Sequence, residues 1–196
     1  MRWSALAALT ITLSATAPAY AQETHSVAEV TIIPAGGTFF TEGTNAAAAP
    51  SFGNYTVGGS LTVKLAPWIG VEGEFASAIG VTQDLTLRGN TKSPNVLNYT
   101  GSVVLSLPTR GPVVPYAAAG LGGLTLLDKA SLGIDNTETF LTGNFGGGFK
   151  WYAGRWGVRG DYRFIVVRSK DDAPAFFGQE TRYGHRVYAG LILNVG

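Results

Sequence analysis

Eight segments of period-two hydrophobicity follow one another along the chain, and the connections between them alternate strictly between long and short. The short ones fall at Ala66-Pro67, at Pro108 to Gly111 and at Ala153-Gly154; the long ones cover about 41–53, 80–95, 128–137 and 169–182. An even number of strands with short turns at one end and long loops at the other describes an up-and-down antiparallel sheet with both termini on one side. Few other folds impose that rhythm on so many consecutive connections.

The alternation is clear in six segments. The second, near Tyr55 to Leu65, sets Tyr55, Val57, Leu61, Val63 and Leu65 against Thr56, Ser60, Thr62 and Lys64. The third sets Ile69, Val71 and Phe75 against Glu72 and Glu74, and the fourth sets Leu97, Tyr99, Val103 and Leu105 against Asn98, Thr100 and Ser102. The sixth sets Leu141, Phe145, Phe149 and Trp151 against Thr142, Asn144 and Lys150. The seventh opposes Trp156, Val158, Tyr162 and Phe164 to Arg159, Asp161 and Arg163, and the eighth opposes Val187, Leu191, Leu193 and Val195 to Arg186, Tyr188 and Asn194. Such a pattern gives a strand two unlike faces. The first segment, near Val27 to Phe40, is broken by Pro34-Ala35-Gly36-Gly37, which predicts a bulge. The fifth, near Val113 to Leu127, is so rich in Ala and Gly that its facing stays open.

Composition decides where such a sheet resides. Mean hydropathy is positive at +0.16, and charged residues make up only 14% against the roughly 25% of soluble domains. Yet beyond the N-terminal segment no stretch approaches the ~18 consecutive apolar residues of a membrane helix. A closed barrel is then the remaining way to span a bilayer, because it pairs every backbone group between strands. Residues 1–21 read as a secretory signal peptide: Arg2, an apolar stretch from Ala5 to Ala17, and small residues at Ala19 and Ala21. The domain is therefore expected at 22–196. Cysteine is absent, so stability rests on architecture alone. Without Arg2 the chain has 13 basic and 13 acidic side chains, a balance that favours no nucleic-acid partner.

Alternation alone also suits a soluble, lipocalin-like carrier with its apolar face inward. Two features favour lipid outside. Trp68, Trp151 and Trp156, joined by Tyr152, flank the short turns and predict an aromatic girdle at one rim. Phe39, Phe40, Tyr55 and Tyr183 suggest a second girdle at the other. The strand charges Lys64, Glu72, Glu74, Lys150, Arg159, Asp161, Arg163 and Arg186 share the small, polar face. A Lys or Arg facing lipid at mid-depth would cost about 2–4 kcal/mol. Turned inward, these charges predict a lumen network in which Glu72, Glu74 and Asp161 meet some of the cations. Its role is either a polar filling of a narrow barrel or a gate in a small pore.

At this point the residues resemble the outer-membrane β-barrel domain family, the small barrels related to the OmpA transmembrane domain and the opacity-type adhesins. Pro115-Tyr116 followed by Gly120-Leu121-Gly122 resembles a central strand of that family. Gly146 to Tyr152, then Arg155 to Arg163, resembles its penultimate hairpin, and Tyr188-x-Gly190-x-x-Leu193-x-Val195 is similar to its C-terminal assembly signal. The chain departs by ending on Val195-Gly196 where such barrels end on an aromatic. The resemblance implies an eight-stranded antiparallel up-and-down transmembrane β-barrel in the bacterial outer membrane. It also implies a monomer in contact with lipid and lipopolysaccharide, handled by the barrel-assembly machinery.

Chemistry-bearing motifs are sparse. His25 and His185 are isolated, and His185 is followed by Arg186-Val187 rather than by the His-x-Ser pair of lipid A deacylases. Neither a nucleophile elbow nor a clustered metal-ligand set is present, so no catalytic, metal or cofactor residues are expected. Function is expected in the long loops. Ala46 to Ala49 and Phe176-Phe177 are candidate contact points for a partner, whereas Asp171-Asp172 with Lys170 reads as a solvated loop tip before a divalent-cation or lipopolysaccharide contact; the role expected is adhesin-like, with a small passive porin-like channel as the alternative.

Overall fold

The computed structural model describes residues 27–85, 89–134 and 136–196. Residues 1–21, expected to be a signal peptide, and His25 lie outside them. Eight strands close into one barrel: β1 (Ala28–Phe40), β2 (Phe52–Ala66), β3 (Ile69–Gly80), β6 (Val96–Ser106), β7 (Val113–Leu126), β8 (Glu138–Ala153), β9 (Trp156–Val167) and β10 (Arg182–Val195). The second long loop holds a short hairpin of β4 (Thr82–Asp84) and β5 (Asn90–Lys92), and the third holds one 3-10 turn, Ala130–Leu132. All barrel neighbours are antiparallel. Closure comes from β1, which pairs with β10 from Ala28↔Val195 to Phe40↔Gly184 and with β2 from Ala28↔Val63 to Phe40↔Phe52.

The break in β1 is a bulge. Register slips between Ile32 and Ala35 against β10, and between Ile33 and Gly37 against β2. Its consequence is an inversion of facing. Glu29, Thr31 and Ile33 point inward before the bulge, and Thr38 and Phe40 after it. Pro34 suits the site because it has no N–H to place in a ladder. Its carbonyl accepts a 2.6 Å hydrogen bond from the Tyr55 hydroxyl, which satisfies a polar group that lipid would leave unpaired. At the opposite end Gly154, with φ of 66°, turns β8 into β9 in two residues.

The two faces of the wall are inverted relative to a soluble protein. Leu61, Phe75, Val103, Leu121, Phe145 and Leu191 are exposed, with Leu121 at 68%, whereas Glu72, Arg159 and Arg163 are each 1% exposed. Every Asp, Glu, Lys and Arg of the eight barrel strands falls on the inward side of the alternation. Water would not tolerate that much contiguous apolar surface, and lipid requires it. Trp68, Trp151 and Trp156 stand exposed around the short turns, as an interfacial ring does.

Candidate functional site in the lumen and at the outer mouth

The lower half of the lumen, toward the short turns, is filled by an ion-pair network. Arg159 sits at its centre, on β9. Its Nη1 donates to Glu72 Oε2, and its Nη2 donates to Asp161 Oδ2 at 2.7 Å and to Glu72 Oε1 at 3.2 Å. Arg163, four residues on and two strand periods away, donates to Asp161 Oδ1 at 2.8 Å and to Glu72 Oε1 at 3.0 Å. The Tyr116 hydroxyl donates to Asp161 Oδ2 and accepts from Arg159 Nε at 2.7 Å, while its ring lies 4.7 Å from the Arg159 guanidinium carbon. Ser60 and Thr62 donate to Glu72 from β2.

Two smaller clusters flank this one. Glu74 accepts from Arg186 Nη2 and from the Tyr188 hydroxyl at 3.1 Å. Glu29 accepts from Lys150 at 2.5 Å, from Lys64 at 2.8 Å and from the Tyr152 hydroxyl at 2.6 Å. The four carboxylates Glu29, Glu72, Glu74 and Asp161 face four deep cations, Lys150, Arg159, Arg163 and Arg186, so these eight sum to zero. Lys64, one-third exposed, adds its charge at the lower mouth. Neutrality is what a low-dielectric lumen demands of buried charge.

Above this layer the lumen changes character. Phe40, Phe52, Leu124, Leu126, Phe140, Ile165 and Val167 point inward from the strands. Leu85, Leu132, Ile134, Phe176 and Phe177 enter from the second, third and fourth long loops. Phe177 is the hub: its ring centroid lies 5.2 Å from Phe40, 5.5 Å from Phe140 and 6.1 Å from Phe52, in edge-to-face contacts. Gly178 follows it with φ of 98°, and a Cβ there would meet the Phe140 ring at 2.2 Å, so the loop turns tightly over the plug. Between the two layers remains a cavity of only about 10 Å³, room for about one water.

The plug is latched at the outer mouth by Arg182, buried at the start of β10. Its guanidinium donates to the Thr41 carbonyl at 2.9 Å and 2.5 Å, to Pro50 at 2.9 Å and to Phe176 at 2.9 Å, and it lies 5.2 Å from the Phe177 ring centre. First and fourth loops are thereby joined. Glu180 adds to the joint by accepting from the Thr44 amide at 2.7 Å and from its hydroxyl at 2.5 Å. Outside, exposed Lys170 bridges Glu138 at 2.7 Å and Asp172 at 3.4 Å, and hydrogen bonding to Glu138 raises its pKa above the ordinary lysine value.

Set against the residues singled out in the sequence, the structure brings Lys64, Glu72, Glu74, Lys150, Arg159, Asp161, Arg163 and Arg186 into one lumen layer. Three placements differ from expectation. Tyr152 turns inward onto Glu29 instead of joining the outward ring of Trp68, Trp151 and Trp156. Phe40 lies inside, because the β1 bulge inverts the facing. Phe176 and Phe177 are fully buried, not exposed contact points, because the fourth loop folds back into the barrel mouth. Sequence reasoning also missed Glu29 and Arg182. Both were within reach: Glu29 opposes Val30 and Ile32 in the alternation, and Arg182 continues the inward phase of Arg186. Among the described residues no group of three or more His, Cys, Asp or Glu side chains is arranged to hold a metal.

An eight-stranded barrel with an apolar wall, aromatic rim and charged interior is an integral outer-membrane β-barrel protein. The chain belongs to the outer membrane protein beta-barrel domain family, whose model matches residues 5–191. No individual curated protein matches it significantly. Among solved structures it is similar to Neisserial surface protein A, at 14% identity and a TM-score of 0.62, over 86% of this chain and 97% of that one. It is also similar to Ail, the attachment invasion locus protein of Yersinia pestis, solved with the heparin analogue sucrose octasulfate. There the identity is 11% and the TM-score 0.51, over 85% of this chain and 97% of that one. At such identities the likeness is one of fold.

Proposed function

We propose that this protein is a non-conducting outer-membrane scaffold whose four long loops make surface contacts in an adhesin-like role. The observation that carries the proposal is the double filling of the lumen, with an ion-pair layer below and a loop-borne aromatic plug above. Among the described residues the cavity between the layers has room for about one water, which disfavours the passive-channel reading. The outward apolar wall disfavours a soluble carrier. What remains available to partners is the loop surface, whose first and fourth loops are fixed to each other by Arg182 and Glu180. That rigidity suits recognition, since preorganised loops bind without a large ordering cost. Ail, an attachment protein by its name, has the same fold and supports the analogy. Lipopolysaccharide around the rim and the assembly machinery during insertion are the further partners this reading entails.

The test is display on a non-adherent bacterium. Cells carrying the intact barrel should bind host cells or matrix more than cells in which residues 43–48 and 169–175 are replaced by Gly-Ser linkers. Equal binding by the two strains, with both barrels folded, would remove the adhesin-like role.

A further inference from the structure

The outer wall carries a groove that neither the lumen nor the loops explain. It is a shallow, open depression that wraps the lipid-facing wall from β1 through β2, β3, β6 and β7 to β8. Its floor is a pair of outward glycines, Gly73 and Gly101, directly opposite each other in register, with Leu61 on one side and Leu121 on the other. A Cβ built on Gly73 or on Gly101 meets no atom within 4 Å. Nothing in the fold therefore requires glycine at either position, and glycine within a strand weakens it. Gly122, by contrast, is forced: a Cβ there would lie 2.1 Å from the Tyr99 carbonyl oxygen. One step nearer the outer mouth, the Tyr99 ring lies across Gly123, at 2.4 Å from where a Cβ would be.

The upper end of the groove is polar. Tyr99 Oη lies 3.5 Å from Thr125 Oγ1, which lies 2.9 Å from Thr139 Oγ1, and Thr139 itself lines the groove. Three hydroxyls in a row satisfy at most two of their three donors among themselves, so one O–H is left for an acceptor outside the protein. This end lies on the loop side of the barrel, away from the Trp ring. A trough of apolar walls leading from mid-wall to a spare hydrogen-bond donor at the outer boundary has the polarity of one membrane lipid, chain inward and headgroup outward.

We propose that the Gly73–Gly101 groove holds an acyl chain of one outer-leaflet lipid, whose ester or headgroup oxygens accept from the Thr125–Thr139 hydroxyl ladder. The site is continuous with the lipid-facing wall, and it is independent of what the loops bind. A bound chain fills space that two side chains would otherwise occupy, and the ladder selects an amphiphile with acceptor oxygens over a plain hydrocarbon.

The test uses the full barrel folded into outer-membrane lipid extract, transferred to mild detergent and weighed by native mass spectrometry. Gly73→Trp and Gly101→Trp fill the floor. Gly160→Trp, on β9 across the barrel from the Gly73–Gly101 floor, is the control, since a Cβ there also meets no atom within 4 Å. The wild type and Gly160→Trp should each retain one lipid, and the two groove variants should lose it, with occupancy falling about tenfold. Thr139→Val should weaken retention by a smaller factor while leaving the groove open. Heat-modifiable mobility verifies folding, and Gly73→Leu replaces the tryptophan variant if that one fails. Equal lipid retention by all variants would overturn the proposal, as would a cross-linkable dimer that Gly73→Trp abolishes, which would assign the groove to a second copy.

Discussion

The lower and upper halves of the lumen occupy the same cylinder of strands yet are held by opposite chemistry. Below, every strong interaction involves a formal charge, and the side chains that make it come from strands fixed on both sides. Above, contacts are apolar and several come from loops. The difference teaches how a barrel too narrow for a channel allocates its interior. Charge goes where the scaffold is stiffest, because an ion pair repays its desolvation only in good geometry. Apolar packing goes where loops must find their place, because it is non-directional and tolerates adjustment.

The comparison can be broken by removing one member from each half. Arg159→Ala should have the largest effect, because it leaves Glu72 and Asp161 short of their main partner. About 3–5 kcal/mol is expected for such an orphaned charge, read by urea unfolding in lipid vesicles. Phe177→Ala should cost about 3 kcal/mol or somewhat more and open a void among Phe40, Phe52 and Phe140. Arg182→Met should cost less, about 1–3 kcal/mol, because it withdraws donors from the carbonyls of Thr41, Pro50 and Phe176. Its clearer signature is proteolysis: cleavage in the first and fourth loops should accelerate while the barrel stays resistant. Lys170→Ala should change nothing measurable in unfolding, since its pairs with Glu138 and Asp172 lie in solvent. If Lys170→Ala proved as costly as Arg159→Ala, the division between a rigid lumen and an adjustable mouth would fail.

The fold was legible because period two and connection length are local properties. Eight strands, their order and the long–short rhythm need no knowledge of the interior. Charges within strands were legible for the same reason, since Glu72 with Glu74, and Arg159 with Asp161 and Arg163, recur at every second position. Pairing was not, because it depends on strand stagger: Lys150 meets Glu29 across a separation of 121 residues, and only the closed register brings them together. Phe40 was misplaced since a bulge resets the phase without changing the alternation on either side. Phe176 and Phe177 read as loop residues and are loop residues, but sequence does not say which way a loop folds. In a narrow barrel the mouth is the nearest apolar shelter, and two adjacent phenylalanines fill it.

The central claim, that two independent layers close the lumen, is tested most directly by single-channel recording in planar bilayers. Wild type and Phe177→Ala should both be silent, and unitary conductance should arise only when Phe177→Ala is combined with Arg159→Ala. Steady conductance steps from the wild-type barrel, or from Phe177→Ala alone, would contradict the account.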